Sequence, residues 1–355
     1  MKLNDIINIL IQYSTIKIFL GIVLLGFAAG ILGNFVILKQ KALLGDTISH
    51  TVLPGIALSF IYFGKTDIWV IWIGAFGAAI VSLFLMEVIK RYSKIKSDAV
   101  LSLILSSFFG LGNILIAYAQ KNNKNSSIAV LEKFILGQVA LIETSDVWLI
   151  AIGSLIILIV VFLLWKELKV FFFDEIFAKS IGFHNLVISV IFNTLLIGVI
   201  VISLKITGII LTSAFLIMPS IISRQISNKL AVNVIISSFI MVFSGFIGVV
   251  VSTCNANVPT GPAVIVVTAI ILFIACLLNP KYGVIQQKLK HYRYQKKIQK
   301  FKQLIHFYKY NEYFDSQEIK IFLFKEQYLI KQQEKILITT KGIKVVENLI
   351  DGRVQ

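Results

Sequence analysis

The sequence is poor in the residues that soluble catalysis draws on. Of 355 residues only 15% are charged, four are histidine and two are cysteine. Cys254 and Cys276 have no partner at CxxC spacing, so neither a zinc motif nor a disulfide framework is suggested. No HExxH occurs, which argues against an intramembrane zinc protease. Gly64-Lys65-Thr66 ends like a phosphate-binding loop, but Ser59 stands where the first glycine of that loop belongs. The chain is therefore expected to carry no ATPase of its own. A short apolar segment with a small-residue cleavage site is also missing, and the first apolar run is long enough to stay in a membrane.

What is present is apolar length. Hydrophobic residues make up 57% of the chain and mean hydropathy is +0.87. That is more apolar surface than a compact soluble domain buries. The reading is an all-α polytopic membrane protein of about nine spans, placed near Ile18–Leu38, Ala42–Phe63, Ile68–Met86, Ala99–Ala119, Val147–Trp165, Val187–Leu204, Ile206–Ile222, Leu230–Val251 and Gly261–Leu278. Lys205 alone separates the sixth and seventh, and the seventh is short and ends near Pro219. One bent unit there gives the alternative of eight. Phe134–Gln138 is too short to cross and reads as a re-entrant or interfacial piece.

Charge sets the orientation. One set of loops holds Lys39 and Lys41; Lys90, Arg91, Lys94 and Lys96; Lys166, Lys169 and Lys179; and Arg224 and Lys229. The opposite set is poorer in cations. From Lys281 onward, 16 Lys/Arg against 7 Asp/Glu give +9 of the net +16. Nine spans put the basic loops and the basic tail on the cytoplasmic side together, with the N-terminus outside. The division is a transmembrane domain over 1–280 and a basic cytoplasmic domain over 281–355.

Asp46 and His50, in LLGDTISHTVLPG, stand apart from this background. No other acid or histidine falls well inside an apolar run. Four residues apart, they share one helix face about a turn from each other, and an ionisable residue within a membrane is by default a functional candidate. Pro54-Gly55 is expected to kink or break the helix just beyond them. A carboxylate and a neutral imidazole suit borderline first-row divalent ions such as manganese, iron or zinc. Two ligands do not close a site, but a twofold axis beside the second span would bring a second pair. The competing reading is that Asp46 and His50 bond each other or cap the start of the span.

The first span is rich in small residues, Gly21, Gly26, Ala28, Ala29, Gly30 and Gly33, read as close-packing positions. The loop KELKVFFFDEIFAKSIGFHN, Lys166–Asn185, predicts a short helix ended by Gly182. His184 at its end reads as a solvated loop histidine. In the tail, Val284–Tyr310 predicts a long basic helix, Ser316 starts a short one, Tyr328–Lys331 with Ile336–Thr339 predicts a hairpin, and Lys341–Ile350 a last helix.

Taken together these residues resemble the membrane permeases of ATP-binding-cassette systems that import manganese, zinc or iron. GDTISHTVLPGIALSF, from Gly45 to Phe60, is similar to the signature of the family's second helix. DEIFAKSIGFHN, from Asp174 to Asn185, resembles the loop that docks into the ATPase, and GIILTSAFLIMPSIISRQIS, from Gly208 to Ser227, resembles the helix that follows. Asn257–Pro262 is similar to the turn before the last span, with Asn257 where the family usually has Asp. The resemblance implies that Asp46 and His50 contact the metal in transit, and that the loop bearing Asp174, Glu175, Ala178 and Gly182 transmits nucleotide-driven closure. It implies no permanently bound cofactor, only the transported divalent metal. The partners implied are a separate ATPase, an extracytoplasmic metal-binding protein and a second permease subunit, all at a bacterial cell membrane. The hairpin with ITTKGIKVVENLI is similar to the end of a winged helix. A packing or regulatory role is expected of it ahead of nucleic-acid binding, since little room remains for two further helices. An ion-coupled secondary carrier and a membrane-tethered metal-responsive regulator are the alternatives.

Overall fold

A computed structural model of the chain describes residues 13–39, 41–63, 68–122, 144–254, 258–279, 283–310, 323, 326–332 and 335–350. The chain divides into two compact units, Met1–Cys276 and Leu277–Gln355.

In the first unit the apolar runs are helices, the form that satisfies every backbone N–H and C=O within its own segment. They are α1 (Tyr13–Leu38), α2 (Ala42–Thr51), α3 (Leu53–Phe63), α4 (Ile68–Tyr92), α5 (Ser97–Asn122), α6 (Thr144–Leu163), α7 (Trp165–Phe173), α8 (Glu175–Ser180), α9 (Asn185–Thr207), α10 (Ile209–Ile226), α11 (Leu230–Cys254) and α12 (Thr260–Leu278). Lys90 and Arg91 fall in the last turn of α4 and Asp98 in the first turn of α5, each where the helix dipole favours it.

Among the described residues, eight stretches are long and apolar enough to cross a membrane, with α2 and α3 together forming one of them. The apolar part of α10, Leu211–Ile226, is shorter. The junction expected at Lys205 lies at Gly208, whose φ of +75° suits a residue without a side chain and breaks the helix between α9 and α10. Among the described residues the count is therefore eight candidate spans, the alternative expected from the sequence rather than nine, with α10 a shorter apolar helix where the seventh of nine was placed. Residues 134–138, Asn257 and the loop around Lys65 lie outside the described residues.

α1 is the centre of the unit. Ile22, Leu25, Ala28, Ala29, Leu32 and Phe35 are fully buried, and α11, α10 and α6 pack around them. The small residues do close-packing work, as their abundance in this span suggested. A methyl group at Gly33 would collide with the carbonyl oxygen of Leu216 in α10. Gly55 and Gly74 bring α3 and α4 together in the same way. Polar residues bridge the contact. Asn34 donates through Nδ2 to the Gly30 carbonyl and to Ser237 Oγ, both at 2.8 Å, while its Oδ1 accepts from Ser223 Oγ at 3.3 Å.

The second unit contains α13 (Val284–Tyr310), an antiparallel hairpin of β1 (Leu329–Gln332) and β2 (Lys335–Ile338), and α14 (Thr340–Ile350). Leu304, Leu323 and Val346 form its small core. Thr339 caps α14 by accepting from Gly342 N at 3.1 Å. The helix expected to start at Ser316 lies outside the described residues, so a winged-helix domain is not shown by them.

Candidate functional site

α2 is flanked by its N-cap Lys41 and ends where the chain turns at Val52. Pro54 cannot donate to the His50 carbonyl, and its ring crowds that carbonyl, so the helix is interrupted just after the pair, as Pro54-Gly55 predicted. Most of α2 is closed off. Thr47, Ile48, Ser49 and Thr51 are fully buried, and their hydroxyls are satisfied. Thr47 Oγ1 donates to the Leu43 carbonyl, Ser49 Oγ to the Gly45 carbonyl, and Ser82 Oγ of α4 lies 3.0 Å from Thr51 Oγ1.

One stripe stays open. Leu43, Asp46 and His50 follow each other at helical spacing, with 38% of the Asp46 side chain and 17% of the His50 side chain exposed. His50 Nε2 lies 3.6 Å from Asp46 Oδ1, beyond a good hydrogen bond. His50 Nδ1 is buried and has no hydrogen-bond partner. Phe109, from α5, meets the His50 ring in a T-shaped contact at a centroid distance of 5.1 Å and an angle of 85°.

These distances weaken the competing reading. The two side chains are not locked in a mutual hydrogen bond. Asp46 is not a cap either: the N-cap is Lys41, and the first turn of α2 contains no acid. What remains is a carboxylate and an imidazole side by side with ligand capacity unused. Among the described residues no group of three or more His, Cys, Asp or Glu could hold a metal. A groove of about 770 Å³ beside Pro54, Leu58 and Ile73 is mostly apolar, with the hydroxyls of Ser59 and Tyr62 but no carboxylate or imidazole in its lining.

The predicted loop helix is α8. Asp174 is its N-cap, with Oδ1 accepting from Ile176 N at 3.0 Å and Phe177 N at 2.9 Å. Ala178 is fully buried, and Gly182 ends the turn at φ +91°. Three of the four loop residues singled out in the sequence therefore build the helix. The fourth, Glu175, is exposed and pairs with Lys39 at 2.7 Å. Lys39 Nζ also lies 3.8 Å from the Phe171 ring centroid. The outward surface of α8 and its C-cap carries apolar Ile176, Phe177 and Ile181 beside Glu175, Lys179 and Ser180, and the sequence reading passed over those three apolar residues. Exposed apolar side chains beside a cap motif were the signal available.

Lys39 is two residues from Lys41, the start of the helix carrying Asp46 and His50. A polar cavity of about 60 Å³ beneath it is lined by Lys39, Lys41, Glu87 and Lys90. Burial, then repulsion from Lys90 and Lys39, push the Lys41 ammonium below its ordinary value, against the pull of Glu175 and Glu87. His184 precedes α9, exposed and without a capping bond from its side chain. The two cysteines are free and half-buried.

Long apolar helices packed through small residues, with one ionisable pair on an open face, define a polytopic membrane permease. The chain belongs to the ABC 3 transport family, whose profile matches residues 12–279. It is 33% identical over 288 residues to the zinc transport system membrane protein TroC of Treponema pallidum, covering 80% of this chain and 95% of that one. It is 32% identical over 292 residues to the manganese transport system membrane protein MntC of Bacillus subtilis, covering 82% and 67%. Among solved structures, PsaBC from Streptococcus pneumoniae in complex with Fab matches with a TM-score of 0.71 and 28% identity, over 81% of this chain and 100% of that one. The protein is thus a multi-pass bacterial membrane permease of ABC-type divalent metal import systems, a transporter component and not itself an enzyme. Membership of such a complex implies ATPase and binding-protein partners and a transported metal. It sets aside the secondary carrier and the tethered regulator as accounts of the membrane domain.

Proposed function

We propose that Asp46 and His50 are half of the transit site for a divalent manganese, zinc or iron ion, and that a second permease subunit supplies the other half. The observation that carries this is the open stripe of α2, where an acid and an imidazole sit together without closing on each other or on a neighbour. Two such pairs give four mixed oxygen and nitrogen donors. That set suits first-row divalent ions, and two separable halves let an ion leave as well as bind. The relatives' names, one for zinc and one for manganese, support this range of cargo.

The basic loops and the tail face the cytoplasm of the cell (inner) membrane. There α8 seats in the ATPase through Ile176, Phe177 and Ile181. The Glu175–Lys39 pair joins α8 to the loop that leads into α2, so movement of α8 is delivered to the residues that hold the ion. The extracytoplasmic binding protein delivers its ion at the opposite face. The tail, 281–355, is a winged-helix-like packing or regulatory module rather than a nucleic-acid reader.

Replacing both Asp46 and His50 by Ala tests the reading. Cellular accumulation of all three metals should fall to background, with the permease still assembled with its ATPase. Undiminished uptake would refute the assignment.

A further inference from the structure

Arg224 lies near the end of α10, and its environment is not that of a satisfied membrane-edge cation. Its Nε is buried without a hydrogen-bond partner, and no carboxylate pairs with it among the described residues. It lines a pocket of about 260 Å³ together with Ser227, Asn228 and Asn233. Asn233 is 3% exposed, and its Oδ1 also lacks a partner. The depth of the pocket is fixed by two other lining residues. Leu38 is the last residue of one apolar span and Leu230 the first of another, so the pocket lies at the boundary between the apolar layer and water.

An apolar groove of about 640 Å³ opens on neighbouring sectors of the same helices. Ile31 of α1 is two turns from Leu38 on the same face, and Ala231, Val234 and Ile235 line the groove on the sector of α11 next to the one bearing Leu230 and Asn233. Phe162 and Trp165 form its far wall, and Trp165 begins α7, the helix whose last residue, Phe173, reaches the polar pocket. The two spaces are offset along α1 by about 10 Å at 1.5 Å per residue, a distance that the first half of an acyl chain spans.

We propose that this is a binding site for one anionic phospholipid, with its phosphate on Arg224 and an acyl chain in the groove. The charge is complementary, since an uncompensated guanidinium at headgroup depth meets the one anion abundant there. Ser227, Asn228 and Asn233 supply further donors for phosphate oxygens or a polyol headgroup, and the groove continues into the apolar layer. The occupant ties α1, α10 and α11 together at the edge of the core that holds α2 in place.

Native mass spectrometry of the assembled transporter in neutral detergent, titrated with phosphatidylglycerol or phosphatidylcholine, tests this. The wild-type permease should take up one phosphatidylglycerol per protomer about tenfold more tightly than phosphatidylcholine, which has the same phosphate but brings its choline cation beside the guanidinium. Arg224→Gln should abolish that preference, and Arg224→Lys should keep part of it. Ala231→Trp, which fills the groove and leaves the guanidinium alone, should lower occupancy by both lipids. Glycerol phosphate without a chain should fail to displace the lipid. Equal affinity for the two lipids in the wild type, a preference that survives Arg224→Gln, or displacement by glycerol phosphate would each overturn the proposal. So would an Arg224→Gln variant that keeps its lipid but sheds the ATPase, since Arg224 would then serve a protein carboxylate.

Discussion

The contact of α1 with α10 and α11 and the open stripe of α2 treat polar groups in opposite ways. At the first, Asn34 uses both ends of its amide on Gly30, Ser237 and Ser223, and Ser220 Oγ donates to Gly30 as well. At the second, His50 Nδ1 is buried with nothing to bond, and Asp46 stands 3.6 Å from its neighbour. Unsatisfied polar groups are costly inside a membrane. On the function proposed above, Asn34 and its partners hold helices together, whereas Asp46 and His50 are kept available for the ion.

Substitutions on the two sides should separate assembly from transport. The largest effect is expected at the stripe, where Asp46→Ala with His50→Ala removes metal accumulation and spares assembly. On the other side the order reverses. Gly33→Val drives a side chain into the Leu216 carbonyl and should leave little assembled permease, as judged by size-exclusion chromatography of detergent extracts. Asn34→Leu strips partners from Ser237 and Ser223 and should lower stability by about 1–3 kcal/mol in a thermal melt, with per-molecule uptake close to wild type. A transport defect in Asn34→Leu at normal abundance would break the comparison.

Much of this was legible in the sequence, and what was not has a common cause. The spans follow from run length, and the short loop helix from its amphipathic pattern and Gly182. The pair at Asp46 and His50 stood out because no other acid or histidine lies well inside an apolar run. Lys39 and Glu175 are 136 residues apart, and no local pattern announces that they meet. Likewise the Arg224 pocket draws on α1, α7, α10 and α11 at once. The sequence also grouped Asp174, Glu175, Ala178 and Gly182 as one loop. Only packing separates the cap, the buried methyl and the turn glycine from the one side chain that reaches another element.

That reaching side chain sharpens the comparison at a smaller scale. Glu175→Gln should scarcely change the melting temperature, since exposed ion pairs contribute little. It should nonetheless reduce ATP-driven uptake about fivefold, the equivalent of about 1 kcal/mol of coupling. Lys39→Gln should do the same, and the double variant no more than either alone. The smallest effect concerns Lys41. Its ammonium is held below the ordinary 10.5, so the folded protein binds that proton less tightly than the unfolded chain does. Stability then rises with pH through the window between the lowered value and 10.5. Lys41→Met should flatten that rise in melts recorded across alkaline pH.

Metal content of the purified, assembled transporter bears most directly on the central claim of a site shared between two subunits. If each α2 stripe provides half of the coordination sphere, saturating manganese should leave one ion per two permease chains, and none in the Asp46→Ala, His50→Ala variant. One ion on every chain, or an ion retained by that variant, would contradict the account.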